Sequence, residues 1–246
     1  MPIIQELLID DYSIEQAEAL QLKYQNKLYQ KIDNVNFIKL NGIKKIVGID
    51  ISYFKKDNID YGVACAVLWD LNKKLMESYY LYKNRIKFQY KPGFLGFREC
   101  KLLAKVVSKI HNKIDLIMCD GHGKIHPRRF GEAVQIGFAL NIPSIGVAKN
   151  PFFGYYNWHN KKYIKGNKSP IWAKNPELLS ETTSNELLGY AICLKNDSKP
   201  VFISTGYKIT LETALKVCLE STTEHRQPEP LYLADKLSRI EVEKYI

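Results

Sequence analysis

The sequence predicts an α/β fold, a mixed sheet flanked by helices, and two observations predict it. Between Ile46 and Phe88 apolar residues recur with a period of two, in three strand-like runs joined by short polar turns. From Glu99 onward, helical and strand-like segments alternate. The first pattern builds an antiparallel meander, and the second requires parallel strands linked by right-handed crossovers. No low-complexity segment, internal repeat or long Pro/Ser-rich linker divides the 246 residues. Residues 1–246 are therefore expected to form one domain, long enough to bury a core without staples.

The chain opens with "IEQAEALQLKYQNKLYQKI", which reads as an amphipathic helix with Ala17, Leu20, Tyr24, Leu28 and Ile32 at helical spacing. The meander follows as "IVGIDISYF", "YGVACAVLWDL" and "KLMESYYLYKNRIKF". A helix from Glu99 to Ile110 carries Leu103, Val106, Val107 and Ile110 as its apolar stripe. Next come a strand ("DLIMC"), a helix from Arg129 to Leu140 and a strand ("PSIGVAK"). The remainder adds two strands, "GYAICL" and "VFIST", and the helix "TLETALKVCLE".

Composition narrows the function. The five cysteines are widely spaced and never form a CxxC pair, so buried reduced thiols are expected in place of a disulfide framework or a zinc ribbon. The first residues carry acids where a signal peptide needs a basic flank, and no run of about eighteen apolar residues occurs. A soluble cytoplasmic monomer without membrane association is the expectation.

The formal charge of +10 points to a polyanionic partner. From Lys149 to Lys174 there are six lysines and no acid, interleaved with Phe152, Phe153, Tyr155, Tyr156, Trp158, Tyr163 and Trp172. A second acid-free stretch, "YYLYKNRIKFQYK", runs from Tyr79 to Lys91. Cations that neutralise phosphates beside rings that stack on bases suit nucleic acid.

The chemistry sits on predicted elements. In "IVGIDISYF" the alternation sets Asp50 between Gly48 and Ser52, with room for a ligand. Glu99 is one turn before Leu103 and in line with the apolar stripe, so it points inward. Asp120 follows "LIMC" and Lys149 follows "IGVA", at the C-terminal ends of neighbouring parallel strands, where open α/β sheets place ligands. Three inward carboxylates cannot all stay ionised without a countercharge. A hard divalent cation resolves the conflict, so Asp50, Glu99 and Asp120 suit Mg2+, with Mn2+ as substitute, at a phosphodiester-cleaving site. Lys149 adds a fixed positive charge near the reacting phosphate.

In "DGHGKIHPRRFG" Gly121 and Gly123 let the backbone approach a ligand just past Asp120. Arg128 and Arg129 read as phosphate contacts at a helix start. His122 and His126 lack a third histidine or matching cysteine, so zinc is poorly supported.

"GIDISY", "YKPGFLGFRE", "DGHGKIHPRRFG", "IPSIGVAK" and "QPEPLYLAD", in this order, resemble the endonuclease V family over residues 14 to 238. The resemblance implies a ribonuclease-H-like mixed sheet flanked by helices. It also implies a metal-dependent endonuclease of nucleic-acid repair, with a magnesium site at Asp50, Glu99 and Asp120 and assistance from Lys149. By the same likeness Tyr90, beside Pro92 in the "YxPG" turn, is a wedge that replaces a displaced base. Backbone around Gly93, Leu95, Gly121 and His126 forms a hypoxanthine pocket. The implied reaction cuts the second phosphodiester 3′ to inosine, leaving 3′-hydroxyl and 5′-phosphate ends, in DNA containing deoxyinosine, with inosine RNA as a further substrate. A structure-specific nuclease and a non-catalytic binder of inosine or RNA remain alternatives.

Three positions depart from the family pattern. Tyr207 stands where histidine is common, and because it follows the strand "FISTG" it is expected near the rim carrying Asp120 and Lys149. Tyr232 replaces a usual arginine, and Gln135 a common histidine.

Overall fold

The structure is a computed structural model that describes residues 3–30, 36–159, 161–180 and 183–246. Its frame is one eight-stranded sheet: β1 (Lys45–Lys56), β2 (Ile59–Asp70), β3 (Leu75–Arg85), β4 (Leu116–Cys119), β5 (Ser144–Ala148), β6 (Lys168–Trp172), β7 (Leu187–Ile192) and β8 (Val201–Tyr207). The spatial order is β3-β2-β1-β4-β5-β8-β7-β6. β1, β2 and β3 form the expected antiparallel meander, and β1, β4 and β5 run parallel. β8 returns antiparallel to β5, and β7 and β6 continue antiparallel to the edge. The chain thus adopts the expected mixed sheet flanked by helices.

Among the described residues there are five α-helices, of which the last four flank the sheet: α1 (Ile14–Gln30), α2 (Leu95–Val107), α3 (Glu132–Leu140), α4 (Leu211–Glu220) and α5 (Glu229–Val242). α2 and α3 pack on one face, where Val47, Ile49 and Ile51 of β1 meet Leu103, Val106 and Ile136. α4 packs on the other, against Ile46, Met118 and Val147. α5 lies on that second face close to β1, so close that a Cβ on Gly48 would sit 2.4 Å from the Pro230 backbone. Glycine is required there by approach, not by φ. α1 buries Tyr24 against Phe130, Phe138 and Tyr207. Ile32, the last residue of the predicted opening helix, lies outside the described residues. The five cysteines are buried and free. Among the described residues no helix is long and apolar enough to cross a membrane.

Two elements are additions to the sequence reading. β6 is a short edge strand interrupted by Pro170, which only an edge tolerates. α5 opens with Pro228 at its N-cap and Pro230 in its first turn, where proline costs no hydrogen bond. α2 begins at Leu95, ahead of Glu99. α3 begins at Glu132 and not at Arg129, because Arg129 takes a left-handed φ of 54° that no helix accommodates.

The placement of Tyr207 is corrected. β8 is antiparallel to β5, so its last residue pairs with Ser144, the first residue of β5, and lies at the sheet end opposite Lys149. Its ring packs edge-on against Phe138, and its hydroxyl donates to Asn141 Oδ1 at 3.3 Å.

Candidate active site

β4 pairs with β1 only from Ile46 to Ile49, and Asp50 is the next residue of β1. The sheet therefore opens beside Asp50, between β1, which runs on to Lys56, and the loop that begins at Asp120. The Asp120 amide still reaches the Ile49 carbonyl at 3.3 Å, so both aspartates leave neighbouring strands at one level. Through this opening groups from both faces of the sheet converge. Glu99 of α2 comes from one side, its carboxylate accepting a short hydrogen bond from the Tyr53 hydroxyl. Asp235 of α5 comes from the other.

The electrostatics follow from burial and crowding. Burial, then the charges of Asp120 and Glu99, push the Asp50 carboxyl well above its ordinary range. Glu99 is raised by burial, against the opposing effect of its hydrogen-bond partners. Glu132, the first residue of α3, is raised well above the usual range by burial and then by Glu99. Lys149 supplies the nearest countercharge: its Nζ lies 2.6 Å from Asp120 and 3.7 Å from Asp235. Burial works against its charge, but Asp120 and then Asp235 outweigh that and hold the ammonium above the ordinary lysine value. Arg226 braces the same residue from behind, donating to the carbonyls of Lys149 and Pro200, each at 2.7 Å.

Hard oxygen donors carrying more negative charge than Lys149 balances fit a divalent cation of the magnesium type. Asp50 and Asp120 are the donors that face the opening, with Asp235 beside them, while Glu99, the third expected donor, is buried behind them on Tyr53 and Glu132. Among the described residues no three histidine, cysteine, aspartate or glutamate side chains already converge as a ligand set.

A cavity of about 810 Å³ lies above this cluster. Asp50, Asp120, Lys149, Tyr90, Pro92, Gly93, Leu95, Gly121 and His126 of the expected site line it, together with Tyr53, Glu132, Phe152 and Asp235. Tyr90 is 68% exposed at its mouth. Gly93, at a φ of 85°, offers a carbonyl that accepts from Gln21 Nε2 at 2.9 Å, His126 Nε2 at 3.0 Å and Arg128 at 3.1 Å. Three donors on one oxygen make this wall a fixed surface. His126 Nδ1 in turn accepts the Arg128 amide at 3.1 Å. One ring nitrogen donates and the other accepts, so the ring is neutral; burial brings its pKa down to about 4. With both nitrogens engaged, His126 has no lone pair for a metal.

Several expected residues lie elsewhere. Gly123 is buried beneath the cavity, its amide donating to Ser204 Oγ at 2.9 Å. Arg128 reaches Glu18 at 2.9 Å and Arg129 reaches Glu186 at 2.8 Å, so both guanidinium groups, read from sequence as phosphate contacts, are held by protein acids. Tyr232 stacks on His225 at the start of α5. Gln135 is buried, donating to the Leu7 carbonyl at 2.8 Å. Conversely, Asp235, Glu132 and Tyr53 joined the cluster without having been singled out. Asp235 closes the motif "QPEPLYLAD", and the prolines ahead of it were the available signal for a helix that would carry it inward.

Residues 26–236 match the family model for Endonuclease V. Endonuclease V of Thermosipho melanesiensis is 32% identical over 234 residues, covering 95% of this chain and 91% of its own. Endonuclease V of Clostridium acetobutylicum is 34% identical over 218 residues, covering 86% and 87%. The crystal structure of Endonuclease V from Streptomyces avermitilis superposes with a TM-score of 0.78 at 29% identity, over 96% of each chain. Ciona intestinalis Endonuclease V, solved in complex with a 24mer DNA containing an inosine followed by a ribo-adenosine, gives 0.73 at 26% identity, over 91% of this chain and 98% of its own.

Proposed function

Because this chain belongs to the endonuclease V family, we propose that it is a magnesium-dependent endonuclease acting on inosine in DNA, with inosine RNA as a further substrate. It cuts the second phosphodiester on the 3′ side and leaves 3′-hydroxyl and 5′-phosphate ends. The observation that carries this reading is the opening of the sheet beside Asp50, where buried carboxylates and Lys149 meet beneath a cavity walled by Tyr90, Gly93 and His126. The inosine-containing DNA bound by the Ciona relative supports the choice of substrate.

Asp50, Glu99 and Asp120 would hold the cation, which when bound neutralises charge on the phosphate and lowers the pKa of a water. Tyr53 holds Glu99 in orientation through its hydroxyl. Lys149 keeps its proton and places a fixed positive charge beside the scissile phosphate, where a developing oxyanion is stabilised. Asp235 and Arg226 limit where that ammonium can go. Tyr90, exposed beside Pro92, fills the stack when a base leaves it. Backbone at Gly93, Leu95, Gly121 and His126 reads the extruded hypoxanthine, and the three hydrogen bonds on the Gly93 carbonyl preform that wall.

The test is incubation with magnesium and matched DNA and RNA oligonucleotides, each with and without one inosine. Cleavage confined to inosine strands, one nucleotide beyond the lesion's own 3′ phosphate, is the expected result. Equal cleavage of inosine-free flaps or junctions would replace the substrate, and binding without cleavage would replace the reaction.

A further inference from the structure

The carboxylate opening is only the middle of one sheet end, and the strand directions define what else lies there. Ala148 of β5 pairs with Phe202 of β8, Val201 pairs with Ile192 of β7, and Ile192 pairs with Lys168, the first residue of β6. Lys168 therefore stands at the same end of the sheet as Lys149. Three strand spacings separate β5 from β6, which is about 14 Å, or the rise of about four base pairs along a duplex.

Between these two lysines the rim is basic. The turn joining β7 to β8 presents exposed Lys195 and Lys199, with Asp197 as its one acid, and the loop before β6 presents Lys161, Lys162 and Lys165, all exposed. Among the described residues no carboxylate lies within ion-pair distance of Lys161, Lys162, Lys165 or Lys168; the hydrogen bonds of Lys161 and Lys165 Nζ go to carbonyls, of Lys168 and Thr222. Lys168 itself reaches over the Tyr190 ring, 4.9 Å from its centre, and its charge helps to lower the Glu212 carboxyl. Lys161, Lys162 and Lys165 are three cations left without acid partners on a short segment; they repel one another, and an anionic partner would relieve that repulsion.

The loop is nevertheless held in place. Its backbone is tied to the neighbouring turn by Gly166 N to the Cys193 carbonyl at 2.8 Å, Cys193 N to the Asn167 carbonyl at 2.9 Å and Asp197 N to the Tyr163 carbonyl at 2.7 Å. Lys165 N adds a bond to Asn196 Oδ1 at 2.7 Å. The charges are thus presented from a fixed support at a set distance from the carboxylates.

We propose that the Lys161–Lys168 loop is a second nucleic-acid contact, which grips the phosphates of one duplex arm about four base pairs from the carboxylate opening. The inference rests on the reading of the chain as a nuclease and adds to it where the substrate runs: along the sheet end, from the Tyr90 turn to the β6 edge. This loop would meet the phosphates of one arm only, the arm away from the Tyr90 turn.

The experiment measures binding by fluorescence anisotropy without divalent metal. It uses a duplex of about 30 base pairs with a central inosine, and two duplexes in which one arm or the other is cut to about three base pairs. In a variant with Lys161, Lys162 and Lys165 each changed to glutamine, affinity for the full duplex should fall about 10- to 100-fold at ~0.1 M salt. The slope of log affinity on log salt should become shallower by about three, close to one unit for each phosphate left without its lysine. On one truncated duplex wild type and variant should converge, and on the other the difference should persist. An unchanged slope on the full duplex, or the same loss on both truncated duplexes, would overturn the proposal. Should the triple variant fail to fold by thermal melting, Lys162→Glu answers alone: its side chain forms no hydrogen bond or ion pair among the described residues, so it should melt like wild type and lose about three- to tenfold in affinity. Because binding is read without cleavage, failure to cut inosine strands would strike the nuclease reading and leave this result standing.

Discussion

Lys149 and Asp235 face each other from different layers of the molecule, the ammonium at the end of β5 lying 3.7 Å from a carboxylate on α5, while Asp120 takes the same ammonium at 2.6 Å from the end of β4. One cation thus joins two strands and a helix. Its position depends on the carboxylates around it, and theirs on it. Substitutions here should separate chemistry from recognition, because the cavity wall at Gly93 and His126 is fixed by other bonds.

Asp120→Asn removes both a proposed cation donor and the closest partner of Lys149. Losing a group that merely orients a metal ligand already costs 10- to 100-fold, so losing a donor should lower single-turnover cleavage by more than about a hundredfold. Binding of inosine DNA without metal should stay within about tenfold, since the wall proposed to read the base is backbone. A variant that cleaves at the wild-type rate would remove Asp120 from the site.

Tyr90→Ala should weaken binding of inosine duplex by about 1–3 kcal/mol, the value of one stacked ring, and weaken single-strand binding less. The ring is 68% exposed and supports no core, so the melting temperature should not move. Titrations on both substrates check it; equal losses on both would mean that Tyr90 is not a wedge.

Tyr207→Phe should leave cleavage within about twofold at every pH, because the hydroxyl lies at the far end of the sheet and forms one hydrogen bond, to Asn141, worth about 0.5–1.5 kcal/mol of stability. Tyr207→His should not accelerate cleavage, since no imidazole at that position reaches the phosphate. A pH–rate profile for both variants is the measurement.

His126 is held neutral, with a pKa of about 4 against an ordinary 6.5. A folded-state value below the unfolded one contributes stability in full above pH 6.5, which is lost as pH falls toward 4, where the unfolded chain binds a proton that the folded one refuses. The contribution is about 3 kcal/mol at most. In His126→Gln, urea unfolding followed from pH 7 to 4 should show a correspondingly weaker dependence on pH than wild type; an identical dependence would mean that the ring titrates freely.

Local pattern was enough for most of the frame. Strict alternation in "IVGIDISYF" set Asp50 among small neighbours on one face of its strand, and helical spacing turned Glu99 inward, because both are properties of a single element with a known period. The ends of "LIMC" and "IGVA" placed Asp120 and Lys149 side by side, because crossovers of one hand make consecutive strands parallel. The resemblance to a family added the roles of Tyr90 and Gly93, which no periodicity contains.

Tertiary structure decided what depends on partners far away in sequence. Arg128 and Arg129 read as phosphate contacts until the fold brought Glu18 and Glu186 within ion-pair distance. Tyr207 read as a rim residue until strand direction, which the pairing with β5 sets, carried it to the opposite end. Asp235 and Glu132 became part of the site only when α5 and α3 closed on the two faces of the sheet. A charge is a property of one residue and is legible in the sequence. Whether that charge is answered, and by what, is a distance between residues, and only the packed chain sets it.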